Sequence, residues 1–516
     1  MPHRLLLLVA LLLAGCAAAP VLREPSERLP TAHSPLAQRV EALAQAHPAG
    51  HSGFRLLASS TDAFTARAEM IRAARVSLDL QYYIVDDGLT TRALADELLR
   101  AADRGVRVRL LLDDTASDGS DAGLALLAAH PNIQVRVFNP VYLGRATGVT
   151  RLAARALDLP RQHRRMHNKL LLADGVLPVV GGRNLGDAYF DAEQAWNFMD
   201  IDLLGAGPVA AALGQSFDAY WNHALSQPIE RFLRRLPDAA ALAEARRGIA
   251  RYFAEARITH HEAYARLMAY RYESGFSAWL GELVWAPGQA LWDAPDKLMV
   301  RGEPPAELLL LSALWPVLQG AREELVFLSA YFVPLREGVA FLTGEVRRGL
   351  EVAVLTNALE ATDVPLVHGG YAPYREALLT GGVRLHELRR QPGEEPSFSV
   401  SGDSESSLHS KAAVIDRRWV FVGSLNFDPR SILWNSETGL LVDSPELARQ
   451  VHALTAEGLA PAISYEVRLE TQAGRSRLAW HYEDDGQPRR LVREPGGRWR
   501  QFNAWLARLF RLERLL

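Results

Sequence analysis

The stretch RRMHNKLLLADG, ending at Gly175, sets an imidazole and an ammonium two residues apart and closes on Asp-Gly. The stretch SLHSKAAVIDRR repeats the arrangement. His167, Lys169 and Asp174 are answered by His409, Lys411 and Asp416, and both copies read H-x-K-x-x-x-x-D. The run after each histidine alternates as a strand, so His and Lys share one face. The aspartate follows seven residues after the histidine, an odd offset, and at ~3.3 Å per residue it lies far down the strand. Asp174-Gly175 is also a hairpin-turn signal. These six residues form the candidate catalytic set, with the aspartates better suited to bracing a turn than to carrying a proton.

The chain returns along LPVVGGRN in the first copy and WVFVGSLN in the second, which carries Asn184 and Asn426 back towards the histidine ends. Gly181-Gly182 and Gly423-Ser424 let backbone amides come close to a ligand. Such a set fits a phosphate. Lysine neutralises it, Asn184, Asn426 and Ser424 with backbone N–H groups hold its oxygens, and histidine attacks or moves a proton. An attacking histidine needs a partner on its other ring nitrogen. Aligning FMDIDLLG with NSETGLLV puts Asp200 opposite Glu437, the candidates for that role; Asp202 aligns with Gly439 and ranks below them.

The elements that must position these groups also come in duplicate. RVSLDLQYYIV, the amphipathic LTTRALADELLRAADRG and the strand VRVRLLLDD are matched by EELVFLSAYFV, GVAFLTGEVRRGL and EVAVLTN. Strand, helix, strand in this order implies parallel pairing through a right-handed crossover. The interval from His167 to His409 equals that from Asn184 to Asn426, 242 residues. A repeat that long means a duplicated α/β domain and not a solenoid. The expected division is 54–274 for the first domain, with a polar helical insert from about residue 228, and 275–470 for the second. Residues 471–516 read as a C-terminal tail.

The first residues read as an address. Residues 1–15 have a basic start at Arg4 and an apolar run from Leu5 to Ala14, too short for a stable span, which needs about 20 residues. The run ends in Leu13-Ala14-Gly15-Cys16, with Cys16 the only cysteine of the chain. This resembles the lipobox of bacterial lipoproteins, with Cys16 the lipidated residue and 16–53 a Pro-, Ala- and His-rich tether. The resemblance implies a bacterial cell envelope protein, lipid-anchored and facing the periplasm. Ala17 after the cysteine favours the outer membrane. At the other end, GRWRQFNAWLARLFRLERLL gathers Trp499, Phe502, Leu506, Leu509 and Phe510 near one helical face, with Arg500, Arg508, Arg511 and Arg514 largely elsewhere. That pattern suits a basic helix at a membrane surface and equally a helix docked on the second domain.

The paired H-x-K-x-x-x-x-D motifs, each followed by G-G/S-x-N, resemble the phospholipase D superfamily. LDLQYYIVDDG, GVRVRLLLDD, RRMHNK, VGGRNLGDAYF, AYFVP, VHGGYAPYR and VGSLNFDPRS look more closely like the C-type bacterial cardiolipin synthases. The likeness runs from about Gly53 to beyond Leu441. It implies two α/β/α halves packed side by side with both motifs at one active site. It also implies a covalent phosphohistidine on one histidine, acid/base work by the other, and no metal or cofactor. His167 is assigned as nucleophile and His409 as acid/base. The implied reaction makes cardiolipin from phosphatidylglycerol and a second phospholipid, with phosphatidylglycerol and phosphatidylethanolamine as candidate donors. A lipobox is not part of what defines that family, so location stands on the leader by itself.

Composition narrows the alternatives. A chain of 516 residues with 48% hydrophobic and 23% charged residues is an ordinary globular protein. Its net charge of −3 gives no global field for nucleic acid, which argues against a nuclease of the same superfamily. A phospholipid hydrolase is the nearer alternative. His260-His261-Glu262 reads as a solvated helix face and not a metal site. Tyr82-Tyr83 and Tyr331-Phe332 stand at strand ends, where they suit either a substrate pocket or the core. The run Arg161 to Arg165 and His368 have only a potential substrate contact to recommend them.

Overall fold

The computed structural model describes residues 25–115, 121–142, 145, 148–193, 196–233, 235–273, 275–390, 405–472, 474–510 and 512–515. The leader and Cys16 lie outside the described residues, as does Arg511.

The first half contributes β1 (His51–Leu57), β2 (Ser77–Tyr82), β3 (Arg107–Asp113), β4 (Ile133–Phe138), β5 (Leu170–Ala173), β6 (Leu177–Gly181), β7 (Trp196–Met199), β8 (Asp202–Ala206) and the short β9 (Ser226–Pro228). The long β10 (Val284–Trp292) leads into the second half. There follow β11 (Glu324–Ser329), β12 (Glu351–Asn357), β13 (Arg384–Leu388), β14 (Glu405–Leu408), β15 (Lys411–Ile415), β16 (Trp419–Gly423) and β17 (Thr438–Asp443). The last three are β18 (Ser464–Gln472), β19 (Arg475–Asp484) and β20 (Gln487–Leu491).

The duplication is visible strand by strand. In the first half β2, β3 and β4 are parallel, and β5, β6, β8 and β1 continue the sheet antiparallel. In the second half β11, β12 and β13 are parallel, and β15, β16, β17 and β10 continue it. The helices Leu89–Asp103 and Leu335–Arg347 make the corresponding crossovers. The two sheets are joined because β10 is shared. Its residues 284–287 pair with β1 and its residues 288–292 with β17. The strand thus passes from one half to the other at Pro287-Gly288, beyond the expected boundary at 275. No larger side chain fits at Gly288, since a Cβ there would meet the ring of Phe54 from β1.

Apolar strands buried on both faces explain the run of Leu and Val in the motifs. One continuous core mixes Leu172, Leu203 and Trp221 of the first half with Val414, Val422 and Leu440 of the second. The halves are therefore two lobes of one packed body, an α/β fold of two like domains side by side.

Two expected segments need correction. The described part of the 16–53 tether is folded. Ser34 caps the helix Pro35–Ala44 by accepting from Ala37 N–H, Leu36 and Val40 are buried, and His51–Leu57 is already sheet. Composition concealed this because Pro35 sits at the first helical turn, where a missing N–H costs nothing. The 471–516 tail likewise begins as sheet, since β18, β19 and β20 extend the edge of β13 as an antiparallel meander. In RLAWHY the alternating Leu478, Trp480 and Tyr482 share one face and pack on the core of the second half, which drives that pairing.

Candidate active site

Two short parallel contacts stitch the motifs together across the halves. β14 pairs with β7, setting Leu408 beside Met199, and a bridge sets Met166 beside Ser436. The next residue in each pair is a candidate site residue. His409 N–H donates to Met199 O and His167 N–H to Ser436 O, both at 2.8 Å. The side chains then complete an exchange. Nδ1 of His409 is hydrogen-bonded to Asp200 Oδ2 at 2.7 Å, and Nδ1 of His167 to Glu437 Oε2 at 2.9 Å. Each imidazole is thus oriented by a carboxylate of the opposite half. Alignment of the halves picks out Asp200 and Glu437, but it does not say which histidine each serves.

Lys169 Nζ donates to His167 O at 2.7 Å, and Lys411 Nζ makes the same bond to His409 O. Both lysines are fully buried, both histidines nearly so. The edge of Tyr83 packs on His167 with ring centres 4.9 Å apart, while Tyr189 and Phe198 pack on His409 at 5.3 and 5.0 Å. These aromatic walls fix ring orientation and thin the water around the imidazoles.

Burial, reinforced by Lys169, Lys411 and Arg430, pulls the His167 pKa well below the ordinary imidazole range. Burial with Lys411 and Lys169 does the same to His409. Burial pushes the Glu437 and Asp200 carboxyls up to about 7 against the pull of Lys169 and Lys411 respectively. It also brings Lys169 down to about 7. Each histidine feels the lysine of the other motif, so the two motifs form one electrostatic site. Neutral imidazoles beside two buried ammonium groups suit an anionic substrate whose charge replaces the missing solvation.

The remaining expected residues fall in different places. Asp174 and Asp416 lie at the far ends of β5 and β15, both with left-handed backbone, φ 47° and 53°. Asp174 accepts from Arg75, Val76 and Ser77 N–H at 3.1, 2.8 and 3.0 Å, and from Ser34 Oγ at 2.6 Å. Asp416 accepts from Arg322, Glu323 and Glu324 N–H. Each side chain is spent on the loop before a neighbouring strand, which fits a brace for the motif. Ser424, expected on phosphate, instead donates to Glu437 Oε2 and accepts from Thr438 N–H. It holds the carboxylate that holds His167. Asn184 accepts from Ile84 N–H at 3.2 Å, next to the Tyr83 that packs on His167, and donates to the OH of Tyr189, which packs on His409, at 2.9 Å. Asn426 accepts from Tyr331 N–H at 3.4 Å.

Sequence reasoning missed the groups that hold the residue before each histidine. Buried Asp113 accepts from Met166 N–H at 2.9 Å and from Arg165 at 3.2 Å. Asn357 bonds both backbone groups of Leu408, at 2.9 and 2.8 Å. Both end a buried parallel strand, in LLLDD and VLTN, and a polar residue there is a signal that could have found them. Asp293 was missed as well. It accepts Glu437 N–H and Lys297 Nζ at 2.8 and 2.9 Å, and nothing in its surroundings in sequence marks it.

The chain matches the family described as cardiolipin synthase, PLD-like domain, over residues 68–221 and 314–457, the two halves above. It is 38% identical over 489 residues to cardiolipin synthase C of Escherichia coli, covering 93% of this chain and 99% of that protein. It is 33% identical over 406 residues to an uncharacterized protein of Helicobacter pylori, 78% of each chain. The phosphatidylserine synthase of Haemophilus influenzae, a crystal structure, superposes with a TM-score of 0.57 at 14% identity, over 93% of this chain and 100% of that one. That likeness speaks for the fold.

Proposed function

This chain belongs to the phospholipase D-like cardiolipin synthase family, and we propose that it joins phosphatidylglycerol and a second phospholipid into cardiolipin through a phosphohistidine. It is an enzyme of the phospholipid phosphatidyltransferase kind. The observation that carries the mechanism is the crossed pairing of His167 with Glu437 and His409 with Asp200. With Nδ1 held by a carboxylate, Nε2 is the ring nitrogen left for phosphorus or for a proton.

In the first step Nε2 of His167 attacks the donor phosphorus, the P–O bond to the leaving alcohol breaks, and His409 supplies that oxygen's proton. In the second, His409 takes the proton of the incoming lipid alcohol, whose oxygen attacks phosphorus as the P–N bond breaks. His167 is regenerated. Splitting one displacement into two is what lets an alcohol replace water as acceptor. Lys169 and Lys411 balance the charge on the non-bridging phosphoryl oxygens. Released glycerol identifies phosphatidylglycerol as donor, released ethanolamine identifies phosphatidylethanolamine.

The enzyme works at a membrane surface in the cell envelope, held through lipidated Cys16 and facing the periplasm, with the outer membrane the favoured sheet. The leader motif supports that placement, and no helix among the described residues is long and apolar enough to cross a membrane. Anchoring concentrates donor and acceptor in two dimensions, which raises the acceptor's effective concentration against water.

Mass spectrometry of products from phosphatidylglycerol vesicles, with and without phosphatidylethanolamine, tests the reading. Cardiolipin should dominate, with phosphatidic acid a minor product that grows as acceptor is diluted with inert lipid. Phosphatidic acid dominating on undiluted phosphatidylglycerol would make the protein a hydrolase.

A further inference from the structure

The C-terminal helix Arg498–Leu509 is docked and amphipathic at once. Ala504 and Ala507 are buried, and Ala504 packs so tightly on Gly369 that a Cβ there would lie 2.8 Å from its Cα. Further ties hold the segment down. Arg500 donates to Thr362 O, and Trp434 Nε1 donates to Arg514 O at 2.9 Å. Glu494, just before the helix, is bonded to His368 and Arg375, both at 2.6 Å. The cluster of His368, Glu387 and Glu494 is closed by the Arg375 guanidinium, which makes it a clamp and leaves no room for a cation.

The opposite face is open. Trp499 is 72% exposed, Phe502 45%, Trp505 47% and Leu509 55%. The first three form a ladder, with successive ring centres 5.8 Å apart. The helix carries three arginines and no carboxylate, and Arg498 and Arg508 are exposed beside the stripe. Indole rings and arginines flanking an apolar stripe fit the boundary between acyl chains and anionic headgroups.

The position of the helix gives the stripe a purpose. Arg500 neighbours exposed Asp363, which accepts from Tyr331 OH at 2.7 Å and acts electrostatically on His409 and Lys411. Trp434, bonded to the C-terminal segment, packs on His163, four residues before His167. The helix therefore borders the mouth of the catalytic site.

We infer that the Trp499, Phe502, Trp505 and Leu509 stripe is a rigid docking surface for an anionic phospholipid bilayer, which sets the catalytic mouth against the headgroups. The inference rests on the phospholipid reading above and deepens it. Two measurements on the full-length enzyme test it, and one of them needs no turnover. The variant Trp499→Ser/Phe502→Ser/Trp505→Ser should lose tenfold or more of its rate on phosphatidylglycerol bilayers. On short-chain phosphatidylglycerol dissolved as monomers it should stay within twofold of the parent. Tryptophan quenching by vesicles of brominated phosphatidylglycerol should be strong for the parent and for Phe502→Ser, and should lose most of its amplitude in Trp499→Phe/Trp505→Phe. Arg498→Glu/Arg508→Glu, which keeps the stripe, should weaken bilayer activity at low salt. Unchanged quenching in the tryptophan variant overturns the docking surface whatever the activity shows. Equal activity of the triple variant on both substrate forms overturns it too. Concentration-dependent self-association without lipid, abolished by the triple substitution, would assign the stripe to a second copy of the chain instead.

Discussion

Nδ1 of His409 lies 2.7 Å from Asp200 Oδ2, although 209 residues of chain separate them and each belongs to a different half. The mirror pair, His167 and Glu437, spans 270 residues. The crossing ties the site to the assembled lobes, because neither motif histidine is held by a carboxylate of its own half. Asp200→Asn and Glu437→Gln keep shape and hydrogen bonding but remove the charge that steadies an imidazolium. Each should lower kcat by on the order of 10²- to 10⁴-fold with little change in KM. Steady-state kinetics of both variants, with circular dichroism to confirm folding, checks this. Near-wild-type turnover in either would mean its histidine acts without its partner.

The two histidines should fail differently. His167→Asn removes the proposed nucleophile, so no acid-labile phosphoenzyme should be trapped from any substrate. His409→Asn removes the proton source, and a phosphodiester with a good leaving group needs little protonation. That variant should retain a measurable first step on p-nitrophenyl phosphodiesters while losing cardiolipin formation. If both variants lose the activated and natural reactions in the same proportion, the division of labour between His167 and His409 is wrong.

The motif aspartates separate stability from chemistry. Asp174 is buried and serves three backbone N–H groups and a hydroxyl, while half-buried Asp416 serves three N–H groups nearer the surface. Losing such buried bonds costs roughly 1–3 kcal/mol, and an alanine at positive φ adds about 1 kcal/mol. Asp174→Ala should therefore unfold at clearly lower temperature than Asp416→Ala, and Asp174→Asn should fall between parent and alanine. All three should keep kcat within about threefold in the folded fraction. A folded Asp174→Ala enzyme with kcat reduced a hundredfold would return the residue to the catalytic set.

Much of this was legible before any coordinates, because the features involved are local or duplicated. Alternation around HNKLLLA gives a strand, the second copy gives the other lobe, and the offset of the aspartate already marks it as a brace. What stayed hidden depends on packing between distant segments. Ser424 looks like a phosphate donor beside Gly423, yet Glu437 lies within reach of its hydroxyl only once β16 and β17 pair. Asp293 and Lys297 buttress Glu437 through a turn whose sequence, DAPDK, looks solvated. The folded stretch before His51 was masked by its Pro and Ala content, since nothing local reveals that Asp174 waits 140 residues away to receive Ser34.

The pH profile follows from which groups are held away from their ordinary range. Asp200 is pushed up to about 7 by burial, so below that pH the His409–Asp200 pair holds the proton that the leaving oxygen requires. Lys169 is brought down to about 7, so above that pH the site also loses a cation facing the phosphoryl oxygens. Both effects have the same sign, and kcat/KM should fall as pH rises through about 7. His167 is shifted the opposite way from an imidazole stabilised as a cation, so it remains a free nucleophile well below its ordinary range. Any acidic limb should come instead from Glu437, whose carboxyl burial pushes up to about 7, so that below that pH it loses the charge that steadies His167. Rates measured from pH 5 to 9 on vesicles of constant composition, whose phosphodiester stays ionised throughout, isolate the protein's own groups. Asp200→Asn should flatten the part of the decline that comes from the acid, and Lys169→Arg, which stays charged, should flatten the part that comes from the lysine. A rate that climbs between pH 6 and 7 and keeps climbing in Glu437→Gln would show that protonated His167 limits attack, and that the buried lysines fail to keep the ring neutral.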